Sequence, residues 1–152
     1  MAKTFADMEC SIARTLDVVG ERWSLLILRD AFYGVRRFED FQRDLGIARN
    51  VLADRLAKLV DQGVLERRRY EEHPPRHEYL LTAKGRDLLP VLLAMTRWGD
   101  RWTGGDEPPV TLTHTACDHP TQAQMVCSHC REDLAWRDLR ADPLPVRVPT
   151  RG

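Results

Sequence analysis

The chain has no surplus of either charge: 23 basic residues are balanced by 23 acidic ones. A histone-like binder that holds nucleic acid by bulk electrostatics would be strongly basic, so that class is excluded. A dimer that reads sequence is not excluded, because its positive charge need only line one face. No apolar run approaches the ~20 residues of a membrane span. The opening residues MAKTFADMEC lack the apolar core of a signal peptide. A cytoplasmic protein with no membrane partner is therefore expected. Cysteine is scarce, with Cys10, Cys117, Cys127 and Cys130 alone in 152 residues, and in a reducing compartment these are expected as thiols or metal ligands. There is no internal repeat and no low-complexity tract. The length allows one domain with a real core plus an appendage.

What is present centres on residues 38–59, FEDFQRDLGIARNVLADRLAKL. The stretch reads as a short helix, a tight turn at Leu45 and Gly46, and a second helix. Phe38, Phe41 and Leu45 bury the inner face of the first helix. Leu52, Leu56 and Leu59 recur at i, i+4, i+7 and make the inward stripe of the second. The other side of that second helix carries Asn50, Ala53, Asp54, Ala57 and Lys58, with Arg49 in its first turn. Small residues between groups that can bond to base edges suit a helix that enters a major groove about 12 Å wide. The unit reads as a helix-turn-helix, although an ordinary pair of packed helices has the same spacing.

Upstream, residues 10–19 predict a first helix, capped by Ser11, with Ile12, Leu16 and Val19 as its apolar stripe. Residues 21–32 predict a second, with Trp23, Leu26, Ile27 and Ala31 inward. A basic loop, residues 34–37, then places Arg36 and Arg37 before the helix-turn-helix, where they can clamp phosphate. After Gly63 the period changes from 3.6 to 2. Residues 64–70 and 77–81 read as two strands joined by a projecting loop that holds Pro74 and Pro75. A hairpin directly after a recognition helix is a wing, and Arg67, Arg69, Arg76 and His77 are its candidate DNA contacts. Glu71 and Glu72 oppose phosphate at its tip. Thr82 caps a long helix expected over residues 83–102 and kinked at Pro90. One stripe of it is Leu88, Leu92, Met95 and Trp102, while Leu89, Val91, Leu93 and Trp98 spread apolar surface further round. A helix apolar on more than one face needs two partners. One is its own domain, and the other is the same helix of a second subunit, joined by the N-terminal helix across a two-fold axis. The breakers of residues 103–109 set the expected division: a DNA-binding and dimerisation domain over residues 1–105 and an extension over residues 106–152.

The order of parts resembles the HxlR-type winged helix-turn-helix family of bacterial transcriptional regulators, relatives of the MarR-type regulators. The likeness is carried by Cys10 before the segment IARTL, by VGERWSLLILR, by Gly34 through Phe38, by Gly46-Ile47, by VLADRL, and by Gly63-Val64-Leu65. It continues in Pro74-Pro75 followed by YLLT, in Gly85-Arg86 and in Trp98-Gly99. These motifs span residues 10 to 102. The resemblance implies a mainly α winged helix-turn-helix with a small β-hairpin wing, dimerising through its N- and C-terminal helices. It further implies a homodimer on a roughly palindromic operator in double-stranded DNA, with no catalytic activity. Two departures stand out. Ala48 occupies the place of a capping Ser before the recognition helix, and Cys10 is followed by Ser11 where the family often has Pro. Some members sense oxidants or electrophiles through that Cys, so Cys10 is a candidate redox sensor for a small-molecule or redox effector. Against this stands the plain reading of a small buried thiol.

The extension carries His114, Cys117 and His119, then Cys127, His129 and Cys130. Cys127 and Cys130 have the spacing that lets two thiolates grip one metal, and Cys117 with His114 or His119 would complete a Cys3His set. No cofactor is required by this reading, and zinc is one option. A disulfide from Cys117 to Cys127 or Cys130, or a metal-free hairpin packed by Val126, Leu134 and Trp136, are the others. Arg131 stands where a zinc knuckle often has Gly. Residues after Asp138, with Pro143, Pro145 and Pro149, read as a loose tail.

The function expected is a sequence-specific DNA-binding transcriptional regulator. Arg49 and Asn50 reach for base edges, Ala53 lies on the reading face, and Lys58, Arg36, Arg37 and the wing bind phosphates. Asp54 is expected to pair with Lys58 across one turn. The alternative is a winged-helix module that docks protein instead of DNA. An enzyme is disfavoured, since only His119 and His129 stand beside the Cys cluster and no Ser-His-Asp or Glu pattern supports them.

Overall fold

Leu52, Leu56 and Leu59 are wholly buried, and the fold of the first 92 residues is built around them. The computed structural model describes Phe5 and residues 8–142. The chain divides into two compact units, residues 1–92 and 93–152. The proline-rich stretch from residue 143 onward lies outside the described residues.

In the first unit, α1 (Ser11–Val19) and α2 (Arg22–Phe32) precede α3 (Phe38–Leu45) and α4 (Arg49–Asp61). Gly46 closes α3 with φ +60°, in the left-handed region that a residue without Cβ enters freely. The core joins Val19, Ile27, Leu28, Phe41, Ile47 and the three leucines of α4 to Val64 and Leu65 at the root of the wing. Each wholly buried leucine side chain contributes about 1.5–3 kcal/mol over an exposed one, which outweighs any propensity term in these short helices.

Two sequence expectations are corrected here, the cap of α1 and the inward face of α2. Cys10, not Ser11, is the N-cap of α1, and no side chain caps the helix. Its buried residues are Ala13 and Val19, while Ile12 and Leu16 stay 72% and 46% exposed. In α2, Ile27 and Leu28 take the core with Ser24 and Asp30, and Trp23, Leu26 and Ala31 are only half-buried.

The wing is an antiparallel pair, β1 (Leu65–Glu71) with β2 (Arg76–Leu81). Its register runs from Leu65 opposite Leu81 to Arg69 opposite His77, then slips so that Glu71 faces Arg76. Tyr70 is therefore the extra residue of a β-bulge. Residues 72–75 make the turn. An isolated bridge from Arg37 to Glu78 and a bond from the Tyr79 N–H to the Arg36 carbonyl at 2.8 Å tie the basic loop to β2.

Thr82 caps α5 (Ala83–Arg86): its hydroxyl accepts from the Gly85 N–H at 3.1 Å and donates to the Gly63 carbonyl at 2.6 Å. The expected single helix over 83–102 is interrupted. The chain turns at Asp87 and Leu88 before α6 (Leu89–Trp102) begins. Pro90 explains this, because in a continuous helix its ring would meet the Arg86 carbonyl, whereas in the first turn of α6 its missing N–H costs nothing. Leu88 and Leu92 pack on the core. Met95, Trp98 and Trp102 are 49%, 61% and 65% exposed.

In the second unit, β3 (Leu112–His114) pairs with β4 (His119–Thr121), a bridge joins Val126 to Asp133, and a 3-10 turn spans Trp136–Asp138. All four cysteines are free thiols. No helix among the described residues is long and apolar enough to cross a membrane.

Candidate nucleic-acid interface

The inward leucines of α4 fix which side of that helix faces out: Arg49, Asn50, Ala53, Asp54 and Ala57 are exposed, and Lys58 is half-buried at its margin. Ala48 is the N-cap with extended backbone (φ −61°, ψ 138°), and no side chain bonds to the first N–H groups. The positive end of this 13-residue helix is thus left open beside Arg49. Asp54 pairs with its neighbour Arg55 at 3.0 Å, not with Lys58, and Arg55 also reaches Glu21 at 3.4 Å.

Beside α4, a groove of about 520 Å³ is lined by Arg37, Arg49, Arg67, Arg76 and His77, with Phe38, Tyr70 and Tyr79 as its apolar walls. Glu39 and Asp40, in the first turn of α3, supply its negative charge. Two of the arginines are held on aromatic faces. The Arg49 guanidinium carbon lies 4.8 Å from the Phe38 ring centroid, and that of Arg37 lies 4.9 Å from Tyr70. Each stack holds the cation in place while leaving its N–H edges free to donate.

The period of two in the wing sorts the remaining candidates. Arg67 and His77 face the groove, and an Arg67 Nη2 donates to His77 Nδ1 at 3.1 Å. Burial first, then the charges of Arg67 and Arg69, hold the His77 imidazole below the ordinary histidine value. Arg36 lies on the other side of the hairpin, in a second groove with Glu66 and Arg68. There Arg68 places Nε and Nη2 at 3.0 and 2.7 Å from one oxygen of Glu78. Arg69 pairs with Glu72 at 3.1 Å and Arg76 with Glu71 at 3.3 Å. Exposed pairs of this kind are worth about 0–1 kcal/mol, so a phosphate can displace either carboxylate.

Arg37, Arg49, Arg67, Arg76 and His77 are therefore brought to one surface, with Asn50 and Ala53 on the adjoining helix face; Arg36 is set apart. Phe38 and Tyr70 escaped sequence reasoning as holding residues. Helical periodicity puts Phe38 wholly on the inner face, and strict alternation puts Tyr70 on the wrong side until the bulge turns it. Asp30 was missed as well. It is 4% exposed, bonded through Oδ1 to Arg29 Nε at 2.8 Å, and its carbonyl accepts the Val35 N–H at 3.0 Å, which fixes the entry to the basic loop.

The model of the HxlR-like helix-turn-helix family matches residues 18–107. An uncharacterised helix-turn-helix-type transcriptional regulator of Mycobacterium bovis is 44% identical over 136 residues, covering 89% of this chain and 86% of the relative. Among solved structures, one described as a transcription factor is 40% identical, with a TM-score of 0.83 over 91% of this chain and 98% of the other. The redox regulator HypR in its reduced form is 34% identical, with a TM-score of 0.57 over 62% of this chain and 96% of that one.

Proposed function

Given that this chain belongs to the HxlR-like helix-turn-helix family and is a helix-turn-helix transcriptional regulator, we propose that it acts as a cytoplasmic homodimer reading a palindromic operator in double-stranded DNA. The convergence of Arg37, Arg49, Arg67, Arg76 and His77 on one groove beside the exposed face of α4 carries this reading. Each subunit lays α4 in a major groove, with half-sites about one turn (~34 Å) apart. Arg49 donates to guanine and Asn50 pairs with adenine, while Ala53 leaves room for the bases. Arg37, Lys58, Arg67, Arg69, Arg76 and His77 register the protein on phosphates, and Arg36 does so from the far side of the wing. Ile12 and Leu16 of α1 and the exposed apolar residues of α6 form the dimer surface, since a monomer leaves them in water. The reaction class is binding, with no catalysis. A small-molecule or redox effector completes the proposal. The half-buried Cys10 is its candidate sensor, in keeping with the likeness to a redox regulator.

The test is binding to duplex DNA from upstream of the protein's own gene across a salt series, for wild type and Arg49→Ala. A specific complex that weakens steeply with salt and is lost in the variant supports the reading. Binding that is absent from every genomic fragment in a selection, or indifferent to Arg49 and to sequence, overturns it.

A further inference from the structure

In the second unit, from residue 93 onward, none of the described residues is buried. Its thiols and imidazoles are dispersed: among the described residues no three His, Cys, Asp or Glu side chains are gathered closely enough to hold a metal ion. What the unit does enclose is a cavity of about 560 Å³, lined entirely by its own residues. That is the size of a small-molecule site.

Leu93, Thr96, Arg97 and Asp100 of α6 line the cavity. Their spacing, i, i+3, i+4 and i+7, makes a single helical face. The exposed Met95, Trp98 and Trp102 fall on the opposite face of the same helix. The cavity therefore accounts for the side of α6 that the proposed dimer surface leaves unused. The rest of the lining comes from residues 108–112 and 120–124, where Pro108, Val110, Leu112 and Pro120 make it apolar and Gln122 and Gln124 add polar groups.

Two opposite charges open into this one cavity. Arg97 Nη1 donates to the Ala123 carbonyl at 3.0 Å, which ties the guanidinium down and leaves its other N–H groups to donate. Asp100 is half-buried, and among the described residues its carboxylate has no ion pair or hydrogen bond. The two residues are helical neighbours, with Cβ atoms about 5–6 Å apart, but a base that precedes an acid is the poorer order for an ion pair along a helix. An acid in the last turn also faces the negative end of the helix dipole, so Asp100 is unfavourable where it stands until a cation joins it.

We infer that this cavity binds a small zwitterion of the α-amino-acid class, with its carboxylate on Arg97, its ammonium on Asp100 and an apolar side chain against Leu93, Val110 and Leu112. An α-amino acid carries its two charges on adjacent atoms of one short chain, a separation that neighbours on one helix face can bracket. The guanidinium offers a carboxylate charge-assisted N–H donors, and the ammonium supplies the cation that Asp100 is without. The apolar lining disfavours a charged side chain, which would be desolvated there without a partner. The site gives a chemical class to the small-molecule effector of the DNA-binding reading. Its role as an effector rests on that reading, whereas binding of the ligand does not.

The experiment is calorimetric titration of the full-length protein, free of DNA, with the standard L-amino acids one at a time. An amino acid with a branched aliphatic or aromatic side chain binds at one per chain, with a Kd of about 1 mM or tighter. Its N-acetyl and amide derivatives, each short of one charge, bind about tenfold more weakly or worse, and Arg97→Gln and Asp100→Asn weaken the parent amino acid to the same degree. The derivatives alter the ligand and leave the protein intact, so they decide the matter even where Arg97→Gln, which loses the tie to Ala123, fails to fold. No binding by any amino acid at up to about 10 mM overturns the inference. So does equal binding of the derivatives, binding indifferent to both substitutions, or binding confined to amino acids with charged side chains. With no DNA in the titration, its outcome is separate from that of the operator assay.

Discussion

The Arg37 guanidinium lies 4.9 Å from the ring centroid of Tyr70, the residue that the β-bulge of the wing turns out of register. The N-terminal end of α3 and the C-terminal end of β1 are thereby coupled through a cation and an aromatic face. Tyr70→Leu frees Arg37 without removing its charge. An exposed stack of this kind is worth about 0.5–1 kcal/mol, so operator affinity falls about two- to fivefold. The salt slope is unchanged, because the number of neutralised phosphates is the same. A salt series on the variant checks both parts.

Arg49 and Lys58 separate reading from positioning. Arg49→Ala costs about 1–3 kcal/mol on the operator and relaxes the preference at one base pair of each half-site. Lys58→Ala weakens operator and random DNA alike and lowers the salt slope by about one per subunit. Selection of bound sequences from a random pool distinguishes the two patterns.

His77 makes binding depend on pH. In the free protein its pKa is lowered, by burial first and then by Arg67 and Arg69, so it is neutral at neutral pH. A neighbouring phosphate favours the imidazolium and raises the pKa in the complex. Binding then takes up a proton, and affinity rises as pH falls between the bound-state and free-state values, levelling off below the latter. The expected slope is up to one proton per subunit below about pH 7, and His77→Ala flattens it. Affinity measured at constant ionic strength from pH 8 to pH 5.5 tests the sign.

Two backbone sites set stability in opposite directions. Ala48 has the extended conformation of an N-cap and no capping bond, so Ala48→Ser adds about 1 kcal/mol, some 4–8 °C in Tm for a domain of this size. At Gly85 an added Cβ would stand 2.2 Å from the Val64 carbonyl oxygen. Both parties there are backbone, so Gly85→Ala costs about 1–3 kcal/mol. Thermal unfolding of the two variants shows shifts of opposite sign.

The sequence by itself determined the order of parts, because each part depends on local periodicity and local chemistry. Leucines at i, i+4, i+7 can bury only one face of α4, Gly46 alone suits a left-handed close of α3, and Thr82 caps whatever helix follows it. Pro90 was also legible, although its effect is a break two residues upstream, since its ring excludes the preceding turn. What the tertiary structure alone decided are matters of register and partnership between distant segments. The bulge that turns Tyr70 toward Arg37 is a property of two strands and a third segment together. Whether Ile12 and Leu16 are core or surface depends on what α1 packs against, and a helical stripe carries no record of that. Arg36 and Arg37, adjacent in the chain, part to opposite sides of the wing because the bridge to Glu78 makes that loop a strand. Periodicity is written residue by residue, whereas side-chain pairing across a fold depends on where other segments have come to rest.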